Sequence, residues 1–226
     1  MFTGIVEELG SVRDCRRAGD GYALSIDCST VLEGTALGDS IAVNGVCLTV
    51  TELDSNGFVT GLAPETRKRT NLESLVRGSK VNLERSVTPS TRMGGHFVQG
   101  HVDATGTISQ FRRDEDALWV TITAPAELMR YIVTKGYITL DGTSLTVVDV
   151  GEDSFSVTLV AYTQAHIVMP GKSVGEGVNI EVDVLGKYVE RLLQQGVAMA
   201  STAHAAGSGT SASAITPEFL KENGYD

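Results

Sequence analysis

The sequence predicts a mainly β protein: two tandem, homologous, small antiparallel Greek-key β-barrels followed by one C-terminal α-helix. Three observations carry that expectation. The chain is written twice; each copy alternates apolar and polar residues between Gly- and Asp-bearing turns; and the periodicity turns helical after Asp183.

The duplication is extensive. Ile41–Val50 (IAVNGVCLTV) aligns with Ile138–Val147 (ITLDGTSLTV) at an offset of 97. The same register places Phe58 on Phe155, Leu62 on Leu159, Thr66 on Thr163, and the run ending Val-Asn-Leu-Glu84 on that ending Val-Asn-Ile-Glu181. Near the start the offset is 96, so that Gly4, Val6 and Gly10 meet Gly100, Val102 and Gly106. A period this long means duplicated domains and not a solenoid. The expected division is a first barrel over 1–95, a second over 96–184, a helix over 185–196 and a flexible tail over 197–226.

Taken in order, Leu24, Ile26 and Cys28 alternate with polar residues, as a half-buried strand does. Asn44-Gly45 follows Ile41 and Val43 and is a strong two-residue hairpin signal. Its return strand sets Val46, Leu48 and Val50 against Cys47, Thr49 and Thr51. A short helix is expected over Asn71–Val76. Copy two repeats the pattern with Leu118, Val120 and Ile122, the Asp141-Gly142 turn, and Leu145 and Val147 opposing Ser144 and Thr146. A helix over Pro125–Val133 would place Pro at the first helical position. Val178, Ile180, Val182 and Val184 end the alternation, and Leu185, Tyr188, Val189, Leu192 and Leu193 take helical spacing. That helix is expected to stop near Gly196. The Ala-, Ser-, Gly- and Thr-rich stretch 198–214 offers too little apolar surface for a packed core.

Composition narrows function. A formal charge of -10 repels phosphate backbones and anionic lipid, which argues against nucleic-acid or membrane binding. The N-terminus has neither a basic n-region nor a long apolar run, and Cys15, Cys28 and Cys47 follow no CxxC or disulfide pattern. Free thiols in the cytoplasm are therefore expected. No metal-spaced cluster or dinucleotide motif occurs, so neither a metal nor a redox cofactor is expected.

Met-Phe-Thr-Gly-Ile-Val at the N-terminus, Gly38–Val50, Gly94–Asp103, Asp141–Val147 and Val178–Asp183 together resemble riboflavin synthases from Met1 to about Arg191. Tyr162-Thr163-Gln164 is similar to the fungal form of that family. The resemblance implies two lumazine-binding barrels and a C-terminal helix that assembles homotrimers. It further implies transfer of four carbons between two molecules of 6,7-dimethyl-8-ribityllumazine, giving riboflavin and a ribitylamino-pyrimidinedione. Two copies of one substrate call for two similar pockets, while donor and acceptor roles require the pockets to differ. Cys47/Ser144, Ile5/His101, Asn44/Asp141, Glu65/Tyr162, Ser86/Asp183 and Gly38/Lys135 are among the differences between the copies.

The chemistry needs a base for the acidic C7 methyl group, a nucleophile at C7 of the partner ring, and proximity of the two rings. Cys47 reads as a nucleophile or ring contact, or else as a buried free thiol. His101 reads as an acid or base, or as a hydrogen-bonded structural histidine. His96, five residues earlier and without a nearby cysteine, reads as structural. Asp183 reads as a helix cap or, by resemblance, as an acid working beside Ser144. Lys135 reads as a ring-carbonyl anchor or a solvated lysine, and Ser40 as a polar contact. The resemblance carries substrate binding onto Gly4, Ile5 and Val6; onto Leu48 and Thr49; and onto Gly61, Leu62, Ala63, Pro64, Glu65 and Thr66. It does the same for Gly100 and Val102, for Leu145 and Thr146, and for Val160, Ala161, Tyr162, Thr163, Gln164 and Ala165. Phe2 reads as a ring cover or a core aromatic. A non-catalytic lumazine or flavin carrier on the same barrels is the rival reading.

Overall fold

The computed structural model describes residues 1–205, with 196–205 described by their backbone alone. Twelve strands form two closed barrels of six. The first comprises β1 (Glu8–Ala18), β2 (Gly21–Asp27), β3 (Ser40–Val43), β4 (Val46–Asp54), β5 (Gly57–Leu62) and β6 (Lys80–Arg85). The second comprises β7 (Ala104–Asp114), β8 (Ala117–Thr123), β9 (Tyr137–Leu140), β10 (Thr143–Val150), β11 (Ser154–Leu159) and β12 (Gly177–Val182). Around the first barrel the order is β1-β2-β5-β4-β3-β6, closed by β6 pairing β1. The second repeats it as β7-β8-β11-β10-β9-β12, closed by β12 pairing β7. Closure removes the exposed edges that an open sheet of this size would present.

Both expected hairpins form. Asn44 and Gly45 have φ of 46° and 77°, and Asp141 and Gly142 have 45° and 79°. Left-handed φ at both turn positions is what a type I′ turn demands, and Asn-Gly and Asp-Gly supply it. Bulges interrupt β1 after Val12, β4 after Val50, β7 after Ile108 and β10 after Val147. These are equivalent places in the two copies, and the added bend helps six short strands close. Alternation sets the inside: Leu24, Ile26, Ile41, Phe58 and Leu83 fill one core, and Ile122, Ile138, Phe155, Val157 and Ile180 the other.

Four helices complete the described chain: α1 (Pro64–Arg69), α2 (Ala126–Met129), α3 (Ala161–His166) and α4 (Val184–Ala205). Several expectations need correction. Asn71–Ser74 is a 3₁₀ turn, and Pro125 is the N-cap of α2, one residue outside it. The helix expected to stop near Gly196 continues to Ala205. One Gly costs about 1 kcal/mol within a helix, and the Ala-rich run after it favours propagation. What remains of the expected tail, 206–226, lies outside the described residues. Met1–Gly186 is one compact unit, and the described part of the chain from Lys187 belongs to another.

Within the first unit the barrels meet tip to tip at their hairpins. A Cβ on Gly45 would lie 2.6 Å from Gly142 N, and one on Gly142 would lie 2.7 Å from Gly45 N. Buried amides join the two sides reciprocally. Asn82 Nδ2 donates to the Asp141 carbonyl and Asn179 Nδ2 to the Asn44 carbonyl, each at 2.8 Å. The symmetry breaks at Asp141, whose carboxylate pairs with Lys172 Nζ at 2.6 Å and accepts from Asn71 Nδ2 at the same distance.

Candidate active site

Each barrel carries a candidate pocket whose residues it does not supply alone. On the first, Cys47, Leu48 and Thr49 lie on β4, and β5 runs through Gly61 and Leu62 into Ala63 and α1. The Gly100–Val102 segment, which leads into the second barrel, closes this group. Cys47 N donates to the Gly100 carbonyl at 2.9 Å, and Val102 packs on the first barrel's core with Leu48 and Leu62. On the second barrel the parts are exchanged. Ser144 N donates to the Gly4 carbonyl at 2.7 Å, and Val6 packs on that core with Leu145 and Leu159. Val160 and α3 stand where Ala63 and α1 stand in the first. A Phe2–Val98 bridge ties the two exchanged segments together.

The glycines are required where the segments touch. Gly4 and Gly100 have φ of 77° and 79°. A Cβ on Gly4 would lie 2.6 Å from Ser144 Cβ, and one on Gly100 equally close to Cys47 Cβ. Both the left-handed backbone and the close approach exclude a side chain.

The polar content of the two pockets differs. Cys47 is half-buried and leans on the apolar group of Phe2, Ala42 and Val98. Thr49 is exposed beside it, and Ser40 pairs with Thr49 across the strands. In the second pocket Ser144 Oγ lies 2.7 Å from His96 Nδ1, and Thr139 Oγ1 lies 3.2 Å from His96 Nε2. A neutral imidazole has one donor and one acceptor nitrogen, so one hydroxyl donates to the ring while the other accepts. The ring stacks on Tyr137 at 5.0 Å between centroids. Burial holds its pKa below the usual imidazole value, and the Asp183 charge partly offsets this. Asp183 also caps α4, Oδ1 accepting from Leu185 N at 3.0 Å, which is the first of the two roles considered for it.

The other expected residues are placed as follows. His101 is exposed and anchored through its main chain, N–H to Glu181 Oε2, 2.9 Å. Lys135 is exposed in a turn with φ 64°, where the first copy has Gly38 at 90°. Gly61, Leu62, Ala63 and Pro64 line a groove of about 520 Å³ with Tyr22 and Thr51. Glu65 faces outward, paired with Arg69, and Thr66 accepts at its carbonyl from Thr70 Oγ1. Ile5 and Ser40 line a second cleft, of about 720 Å³, with Thr3, Arg85, Ser86 and Gly94. Tyr162 is exposed and stacks on His166 at 4.0 Å. Gln164 Nε2 donates to the Asp116 and Leu159 carbonyls, fixing α3 with Ala161, Thr163 and Ala165 against the β7–β8 and β8–β11 strand ends. Thr146 is exposed on β10.

Three residues at the pockets carried no functional expectation. His96, read as structural, touches Ser144; it has no counterpart in copy one, so comparison of the copies is silent about it. Glu84 and Glu181 are buried and clamp the exchanged segments. Their signal was a carboxylate kept at the same strand position in both copies.

Comparison with known proteins agrees with this architecture. The lumazine binding domain model matches twice, over residues 3–86 and 99–183. Solved structures of LumP complexed with 6,7-dimethyl-8-(1'-D-ribityl) lumazine and with riboflavin match with TM-scores of 0.73 and 0.75. Each covers 80% of this chain and 99% of its own at 24% identity, a likeness of fold. The riboflavin synthase of Bacillus subtilis is 43% identical over the whole of both chains. That of Schizosaccharomyces pombe is 48% identical over 88% of this chain and 96% of its own. Fold and pockets thus define a tandem lumazine-binding-domain protein. Within that class, the chain belongs to the riboflavin synthase family. Its bacterial and fungal members match it at 43–48% identity.

Proposed function

We propose that this chain is a transferase that converts two molecules of 6,7-dimethyl-8-ribityllumazine into riboflavin and 5-amino-6-(D-ribitylamino)uracil. The observation that carries the proposal is the pair of candidate pockets, alike in backbone frame, where Ser144 N meets the Gly4 carbonyl and Cys47 N the Gly100 carbonyl, and unlike in polar side chains. One substrate used in two roles needs that combination. Orienting the two rings supplies much of the rate, because it turns a bimolecular encounter into a nearly unimolecular one. Cys47 and His101 serve the first pocket. Ser144, held by His96 and near the Asp183 charge, serves the second, and Lys135 and Ser40 add polar contacts at the rims. The main chain at Ile5–Val6, Gly61–Thr66, Val102 and Val160–Ala165 offers donors and acceptors for the pyrimidinedione edge, while the Gly4 and Gly100 groups hold the frame.

The active assembly in this reading is a cytoplasmic homotrimer, with Cys47 of one subunit facing Ser144 and Asp183 of another. The three free cysteines suit a reducing compartment. Leu185, Tyr188, Val189 and Leu192 on α4 are all more than half exposed, an apolar stripe suited to joining subunits. The LumP likeness favours one alternative, a lumazine or flavin carrier. Incubating the purified protein with the lumazine alone separates them. Riboflavin and the uracil product should appear in equal amounts; tight binding without product would establish the carrier.

A further inference from the structure

Glu84 and Glu181 lie at equivalent places on β6 and β12 and are 5% and 3% exposed. A buried carboxylate is stable only when its oxygens are satisfied, and both of these spend theirs on main-chain segments. Glu84 Oε1 accepts from Thr3 N at 2.7 Å and from Thr3 Oγ1 at 2.9 Å, and Oε2 accepts from Gly4 N at 3.0 Å. Glu181 Oε1 accepts from Gln99 N at 2.6 Å, and Oε2 accepts from Gly100 N at 3.0 Å and His101 N at 2.9 Å. Successive N–H groups turned towards one anion make a rigid nest.

The far side of each nest touches the opposite barrel. The carbonyl of Gly4, held from the first barrel, accepts from Ser144 N in the second. The carbonyl of Gly100, held from the second, accepts from Cys47 N in the first. We propose that Glu84 and Glu181 are crossed positioning residues: each carboxylate sits in one barrel and sets the geometry of the other barrel's pocket. The pockets named are those of the function proposed above, but the crossed wiring is a property of the folded chain and is testable without turnover. Each half of the duplication thereby depends on the other, and a change in one barrel is felt in the opposite pocket.

Thiol reactivity tests this on the full-length protein. In a Cys15→Ser, Cys28→Ser background, Cys47 is the remaining thiol, and its alkylation by iodoacetamide is followed by mass spectrometry. Glu181→Gln should accelerate it about tenfold, the effect of losing one charge-assisted hydrogen bond on a local opening equilibrium. Glu84→Gln should accelerate it several-fold less, since its clamp on Thr3 reaches Cys47 only through the packing of Phe2. With Cys47→Ser and Ser144→Cys added to that background, the thiol reports the second pocket and the pattern should reverse. Should a Gln variant fail to give a wild-type circular-dichroism spectrum, Glu→Asp at the same position, which withdraws the carboxylate while keeping its charge, replaces it. Acceleration of both reporters alike by either substitution, or of neither by both, would overturn the crossed arrangement. Failure to make riboflavin from lumazine would bear on the proposed reaction alone.

Discussion

His96 Nδ1 lies 2.7 Å from Ser144 Oγ, and nothing in the first copy of the duplication corresponds to that contact. The chain enters the second barrel through Gly94-Gly95-His96. A Cβ on Gly95 would lie 2.1 Å from the Thr3 carbonyl and 2.8 Å from Ser144 Cβ, so this connection is pressed into the second pocket. The difference between the two groups is therefore built partly from the linker.

His96→Ala should lower turnover about tenfold to a hundredfold, the worth of one hydrogen bond to a partner left buried and unsatisfied. His96→Asn, whose amide can reach where Nδ1 reaches, should restore part of that loss. Steady-state riboflavin formation checks both. Equal activity in the Ala variant would make the ring a packing element only.

Cys47→Ala should reduce kcat by roughly a hundredfold with little change in lumazine affinity if the thiol acts on the ring. The competing effect is lost packing against Phe2, Ala42 and Val98. Thermal unfolding distinguishes them: a lower Tm with unchanged kcat would assign Cys47 to packing.

Burial pushes the Glu84 carboxyl up to about 7 from 4.5, outweighing the donors from Thr3 and Gly4. A raised folded-state value means that the native protein holds this proton more tightly than the unfolded chain. The stabilisation it contributes is full below 4.5 and is lost as pH rises through about 7. Wild type minus Glu84→Gln, compared by denaturant unfolding across that window, should show stability declining with pH. A flat difference would contradict the raised value.

Gly45→Ala should destabilise the protein by about 3 kcal/mol, combining left-handed strain with overpacking at the barrel contact. Gly142→Ala should do the same, and chemical denaturation measures both. A loss below about 1 kcal/mol, the cost of an ordinary surface change, would show that the contact yields.

Such local demands explain how much was legible beforehand. Asn44-Gly45 and Asp141-Gly142 could be read because few residues accept the backbone they impose, and the strands because alternation is a direct image of inside and outside. Short α1 and α3 escaped: Pro64–Arg69 is polar apart from its first residue, and Ala161–His166 buries no residue, so neither leaves a periodic apolar trace. The bulges escaped because one extra residue barely disturbs a short alternation. For the site, the duplication paired Cys47 with Ser144 and Gly4 with Gly100, but equivalence does not say which copy touches which. That crossing rests on contacts such as Gly4 with Ser144 and Cys47 with Gly100, between residues distant in sequence, where no local pattern reaches.

The proposed trimer makes a sharper demand. If Cys47 of one subunit works with Ser144 and Asp183 of another, a defect in the first pocket and a defect in the second can be placed in different chains. Cys47→Ala and Asp183→Ala chains should each assemble and be nearly inactive. When they are dissociated, mixed and reassembled, some interfaces join the intact first barrel of an Asp183→Ala chain to the intact second barrel of a Cys47→Ala chain. Activity should then return, in proportion to the fraction of such interfaces, and native mass spectrometry counts the mixed species. A site contained within one chain would retain one defect in every copy. Mixed trimers that form and stay inactive would therefore place the reaction inside a single subunit, whereas recovered activity can arise only from residues meeting across the interface.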